Sequence, residues 1–380
     1  MNYLQLHEQN KENSLFGRYI TLHHIEPLLQ KYKVETIGKS VLGKPIYKLE
    51  FGTGKTKILM WSQMHGNEST TTKGLFDYIN FLNSKTEESD TILKNFTFCI
   101  LPMLNPDGAE LYTRENANGI DLNRDAQNLS QPESIILRNI FNEFQPHYCY
   151  NLHDQRTIFG VDDTGKPATV SFLAPAFNES RDINAVRLKA IHVIVAMNDV
   201  LQQYIPNQVG RFDDSFNINC VGDTFQYLYV PTILFEAGHF PHDYEREETR
   251  KYIFIALFSG IEFLHENDIV ISKIDDYLKI PQNKVVFYDF VYKNVKINYD
   301  GKDKIINFAA QYKEVLYKGK VQFEARIAQI GNLDNFFGHV VVDANGEPFS
   351  SEENDFPKID QKADFCLGKS KKVVNGLINN

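Results

Sequence analysis

Apolar residues recur along the chain with two periods, short unbroken runs and stripes three or four apart, and the two alternate. Ile58 to Trp61 is an unbroken run that reads as a buried strand. A polar turn follows. Ser69 and the threonines after it then offer N-caps for an amphipathic helix through Leu75, Tyr78, Ile79 and Leu82. The alternation continues with strands predicted at Phe96–Met103, His147–Leu152, Ser171–Pro175 and Val230–Phe235. Helices are predicted at Glu133–Phe144, Glu179–Tyr204 and Tyr244–His265. Strands alternating with helices argue for an α/β sandwich around a mostly parallel sheet.

The ends of the chain read differently. Residues 1–33 read as a helical extension, and Val34–Phe51 as two strands joined by a turn near Gly43. After Asn267 the pattern turns to short alternating runs rich in Val, Phe, Tyr and Ile, over residues 285–342. This predicts a small β-rich domain. The last 25 or so residues are polar and read as partly loose. The expected division is 1–268 and 269–380.

With 380 residues, the chain is long enough for a large core and two domains. A net charge of −9 leaves no basic surplus to neutralise phosphates, so a nucleic-acid partner is not expected. No apolar run approaches the roughly 20 residues that span a bilayer, so no membrane partner is expected either. The N-terminus has neither a basic nor an apolar signal region. Cys99, Cys149, Cys220 and Cys366 lie far apart with no C-x-x-C, which suits free thiols in a reducing compartment. A cytoplasmic protein is the expectation.

Four polar stretches carry candidate chemistry. His65-Gly66-Asn67-Glu68 sits where a strand ends, the edge at which open α/β sheets place ligands, so both side chains can point at one ion. Alone, this pair would be an ordinary surface turn. It is followed by Arg114-Glu115-Asn116-Ala117-Asn118-Gly119-Ile120-Asp121-Leu122-Asn123-Arg124, by Asn151-Leu152-His153, and by Thr232-Ile233-Leu234-Phe235-Glu236. In this order the set resembles the zinc carboxypeptidases of the funnelin type. The likeness covers roughly residues 34–265 and implies a three-layer α/β sandwich around a mixed, mostly parallel sheet, followed here by the small β-rich domain.

The resemblance also implies roles. His65, Glu68 and His153 would hold one zinc ion, with a fourth position left for water. Asp121 would orient His65 from behind. Glu236, after an apolar strand, would be the general base, and Arg114 would stabilise the oxyanion. Asn123 and Arg124 would grip a terminal carboxylate, Arg doing so with two parallel hydrogen bonds. The expected activity is zinc-dependent cleavage of the C-terminal peptide bond, the substrate being a peptide.

Two departures stand out. Gly210–Phe225, where many family members carry a tyrosine on a mobile loop, holds only Phe212 and Phe216 as aromatics besides Phe225. The residue setting side-chain preference falls near Val221–Asp223. The C-terminal domain, moreover, does not resemble the transthyretin-like module of the regulatory carboxypeptidases. Aspartoacylase and succinylglutamate desuccinylase, which cleave N-acyl amino acids, join similar motifs to a C-terminal β domain and supply the alternative reading. An inactive binding homologue would have lost a ligand or the late glutamate, and this chain has lost neither.

Overall fold

The computed structural model describes residues 2–266, 273–299, 301–352 and 354–379. The chain forms two compact units, Met1–Gln155 with Ala168–Asn283, and Arg156–Pro167 with Lys284–Asn380. The boundary expected at 268/269 lies outside the described residues.

The first unit is built on one eight-stranded sheet. Its strand order is Val34–Lys39, Pro45–Phe51, Phe96–Leu101, Thr56–Ser62, Tyr148–Asp154, Thr232–Ala237, Val170–Leu173, Val209–Arg211. The run from Phe96–Leu101 through Thr232–Ala237 is parallel. Antiparallel pairs flank it on both sides, and the outermost pair, Val170–Leu173 with Val209–Arg211, is parallel again. The sheet is thus mixed and mostly parallel.

Central strands are unbroken apolar runs because both faces are covered. Ile58 and Met60 join one core with Leu75, Ile79, Ile194 and Phe254 from the helices Thr70–Leu82, Ala185–Leu201 and Glu247–Glu266. Leu59 and Trp61, on the opposite face, join Leu137, Phe141 and Phe225 from Pro132–Phe144 and Val221–Tyr227. That makes three layers. The helix expected from Glu179 starts at Ala185, where the Asn184 side chain accepts the Arg187 N–H. No described helix is long and apolar enough to cross a membrane.

The N-terminal extension is not helical throughout. Helices Tyr3–Asn10 and Leu22–Leu29 flank a segment, 11–21, with no regular structure. Gly17 takes a left-handed backbone (φ 76°) in its middle, which interrupts a helix there. The segment is nevertheless fastened down, with Leu15 and Ile20 buried. Arg250, fully buried and paired with Asp77 at 2.6 Å, donates to the carbonyls of Leu15 (2.6 Å) and Glu12 (2.7 Å).

The second unit is β-rich, as its alternation predicts. Lys320–Ile330, Lys302–Tyr317, Phe287–Tyr299 and Phe337–Asp343 form one sheet in that order. The last 25 residues, expected to be loose, instead contribute strands to a second sheet: Phe365–Leu367, Lys371–Val374 and Leu377–Asn379, with Phe349–Ser350 at its edge. Phe365, Leu367 and Val373 pack against Phe290, Tyr292, Phe308 and Ile327. Phe349 joins the same core and Ile378 packs against it, and the polar majority of the segment concealed these few inward apolar side chains.

Candidate metal centre

The strand Thr56–Ser62 ends in a sharply bent turn. Gln63 is buried with a left-handed backbone (φ 49°), an uncommon state for a residue with a Cβ. Its side chain holds the turn. Nε2 donates to the carbonyls of Ile20 (2.7 Å) and Gly66 (2.9 Å), and Oε1 accepts from the Thr72 hydroxyl (3.1 Å). Asn105 braces the same turn from the next strand's exit, its amide donating to the carbonyls of Met64 (3.1 Å) and Glu115 (3.2 Å). A methyl group on Gly66 would lie 1.9 Å from the Gly108 carbonyl carbon, so only glycine fits there.

This scaffold brings His65 and Glu68 to the end of the neighbouring strand, Tyr148–Asp154, which carries His153. Ligand atoms of the three residues all lie within 4.8 Å of one another, and all three are buried. His65 Nδ1 is 2.8 Å from Glu68 Oε1, and His153 Nδ1 is 2.8 Å from Glu68 Oε2. On its far side His65 meets Asp121, Nε2 to Oδ1 at 3.0 Å. With the carboxylate accepting there, His65 carries its proton on Nε2 and turns the Nδ1 lone pair toward the shared point.

Asp121 is held in turn. Its Oδ1 accepts the Asn123 N–H (2.8 Å) and its Oδ2 accepts from Arg114 Nε (3.1 Å). Arg114 also reaches Glu68, Nη1 to Oε1 at 3.3 Å. Asn123 gives its side-chain carbonyl to the Val221 N–H (2.9 Å), which leaves its amide N–H groups for a ligand. Arg124 is exposed, with Nη1 donating to the Asn123 carbonyl (2.7 Å).

Glu236 faces the same group by register. It pairs directly with His153 on adjacent parallel strands, so the two side chains leave the same face of the sheet about 4.8 Å apart at the backbone. The electrostatics of the two glutamates diverge. Burial would raise Glu68, but the rings of His65 and His153 hold its carboxyl well below the ordinary carboxylate range. For Glu236, burial and then the charges of Glu68 and Asp154 push the carboxyl well above that range. His65 is raised because Glu68 and Asp121 outweigh the effect of burial, whereas burial lowers His153. Two carboxyl groups driven apart by their surroundings suit two roles, a permanently charged ligand and a proton carrier.

Several residues that hold the site were not singled out from the sequence. Gln63 and Asn105 shape the turn. Arg246, buried, donates from Nη1 to the Ala237 carbonyl (2.7 Å) and from Nη2 to the Gln155 carbonyl (2.9 Å), tying together the exits of the strands that carry Glu236 and His153. Ser69 Oγ donates to the Arg18 carbonyl (2.6 Å), so segment 11–21 touches the metal turn at both Ser69 and Gln63. The stretch without a tyrosine is anchored at Asp214, which accepts from buried Arg187 Nη2 at 2.6 Å.

In the short helix Val221–Tyr227, burial pushes the Asp223 carboxyl up to about 7. An unfolded aspartate titrates near ~3.9. Folding therefore favours the protonated form, whose contribution to stability is complete below ~3.9 and is lost as pH rises through about 7. Asp223→Asn is expected to flatten the fall in melting temperature between about pH 4 and about pH 7. Coincident pH–melting curves for variant and parent would show that this carboxyl is not strained by burial.

Two imidazoles and one carboxylate on one point are the donor set that zinc takes at hydrolytic sites. Among the described residues, His65, Glu68 and His153 form the group of His, Cys, Asp and Glu side chains close enough to share an ion. Known proteins agree. Residues 28–170 match the family described as zinc carboxypeptidase. Carboxypeptidase 2 of Trichophyton rubrum is 27% identical over 100 residues, covering 26% of this chain and 19% of that protein. The carboxypeptidase N catalytic chain of Homo sapiens is 30% identical over 121 residues, covering 26% of each. The matched stretches are thus well under half of those relatives' lengths. Among solved structures, a metallo-carboxypeptidase from Burkholderia cenocepacia shares the fold, with a TM-score of 0.51 at 16% identity over 64% of this chain and 67% of that one. The zinc ion that this family uses fits the donor set found here, and the span that supplies those donors lies within the stretch that matches the zinc carboxypeptidase family.

Proposed function

We propose that this chain is a zinc-dependent carboxypeptidase that removes C-terminal residues from peptides. The observation that carries the reading is the in-register pairing of His153 with Glu236, which sets an upward-shifted carboxyl beside the His65–Glu68–His153 donor set without adding it to that set. Zinc, when bound, acidifies a water and polarises the scissile carbonyl. Glu236 would act as the general base, accepting a proton at its carboxylate and returning it to the leaving amine. Arg114, with its side chain 40% exposed, presents a guanidinium to the charge that develops on the carbonyl oxygen. Asp121 keeps both His65 and Arg114 in place.

Asn123 and Arg124 would receive the substrate's terminal carboxylate, Asn123 through the amide that Val221 orients. A charge-assisted hydrogen bond of this kind contributes about 1.5–3 kcal/mol. Arg124→Ala is therefore expected to raise KM for free-acid peptides by about 10- to 150-fold, with a smaller effect on kcat. The deciding experiment is a panel of free-acid peptides, their C-terminal amides and N-acyl amino acids. Cleavage of the free acids but not of the amides is the expected result. Turnover confined to N-acyl amino acids would overturn it in favour of an amidohydrolase, and no turnover at all, with zinc bound, in favour of an inactive homologue.

A further inference from the structure

Glu68 closes the metal turn, and two residues later the chain enters the helix Thr70–Leu82. A helix start leaves N–H groups that need acceptors, and the ordinary source is the side chain of the N-cap residue. Here that residue is Ser69, whose hydroxyl is taken up by the Arg18 carbonyl and makes no cap. The acceptor comes from another element instead. Asp154, the last residue of the strand Tyr148–Asp154, accepts the Thr70 N–H on Oδ2 (2.8 Å) and the Thr71 N–H on Oδ1 (3.1 Å).

A second tie runs the opposite way. The backbone N–H of Asp154 donates to Glu68 Oε2 at 3.1 Å, the same oxygen that faces His153. One residue next to His153 thus grips both the carboxylate of Glu68 and the backbone just beyond it. A local cap on Ser69 would satisfy the helix equally well, yet leave it free to shift along the sheet. A cap delivered from the strand of His153 locks two donor residues, far apart in sequence, at one spacing. Both carboxylate oxygens of Asp154 are engaged by N–H groups, so it is neither a fourth donor to the ion nor a second base.

We propose that Asp154 is the positioning residue that sets the separation of Glu68 and His153, and so the affinity of the site for zinc. This inference rests on the zinc-hydrolase reading above. It is tested on the full chain with Asp154→Ala, which removes both acceptors, and Asp154→Asn, which keeps one. Two quantities are measured: the zinc dissociation constant, by competition with a chromogenic chelator, and the melting temperature of the zinc-free protein. Loss of an outer partner of a metal ligand weakens binding roughly 10- to 100-fold, and that is the effect expected for Asp154→Ala, with a smaller one for Asp154→Asn. KM is expected to stay put, because Asp154 is not placed against substrate.

A role confined to capping the helix would lower the zinc-free melting temperature and leave the zinc constant where it was. That result in either variant overturns the inference, and Asp154→Asn alone decides the matter if Asp154→Ala does not fold. A parent protein that fails to bind zinc at all overturns the hydrolase reading, and this inference with it.

Discussion

Replacing Glu236 with glutamine is expected to cut kcat by about 100- to 10,000-fold while leaving zinc content unchanged. The amide keeps the shape of the carboxyl and loses its ability to take a proton. Glu236 stands beside His153 in the sheet and outside the group that shares an ion, so the exchange spares the ligands. Burial and the charges of Glu68 and Asp154 shift its carboxyl upward, so a rising pH fills the base form. On the acid side, kcat/KM should therefore climb with pH in the parent, and this limb should vanish in the glutamine variant. Native turnover by Glu236→Gln, with zinc confirmed by elemental analysis, would remove this residue from the chemistry.

His153→Ala carries the next largest effect. It deletes one of three donors from a buried set and leaves Glu68 facing an unfilled space. Zinc affinity should fall by more than the roughly 10- to 100-fold that accompanies the loss of an outer partner, and turnover should fall with it. Removing a buried ring also destabilises the fold through the cavity it leaves, so melting temperatures of both proteins without zinc separate the two losses. Full zinc occupancy in the variant after dialysis against chelator would exclude His153 as a donor.

The donors were legible in the sequence because their chemistry admits few residue types. A zinc site needs His and Glu, and His65, Glu68 and His153 fall at or just after apolar runs that make a strand unmistakable. Ile58–Trp61 reads as buried on both faces because helices cover both. The residues that hold the donors in place were not legible. Gln63, Asn105, Asp154 and Arg246 work mainly through backbone N–H and carbonyl groups of distant segments. Every residue offers such groups, so nothing in the local pattern marks the partner; the tertiary fold alone selects it. The closing strands of the second unit were missed for another reason. Phe365, Leu367 and Val373 are few among polar neighbours, and only the facing sheet shows which side they line.

The amino-terminal segment anchors the turn that carries His65 and Glu68, so the unit that supports the site starts upstream of its family likeness. Similarity to known carboxypeptidases begins at residue 28, downstream of Arg18 and Ile20, whose carbonyls receive Ser69 and Gln63. A version trimmed at its amino end to residue 28 would retain His65, Glu68, His153 and Glu236, yet discard two of the struts that fix the shape of the turn carrying His65 and Glu68. The support of this site is longer than the family likeness, and its extra length lies directly behind the turn that carries His65 and Glu68.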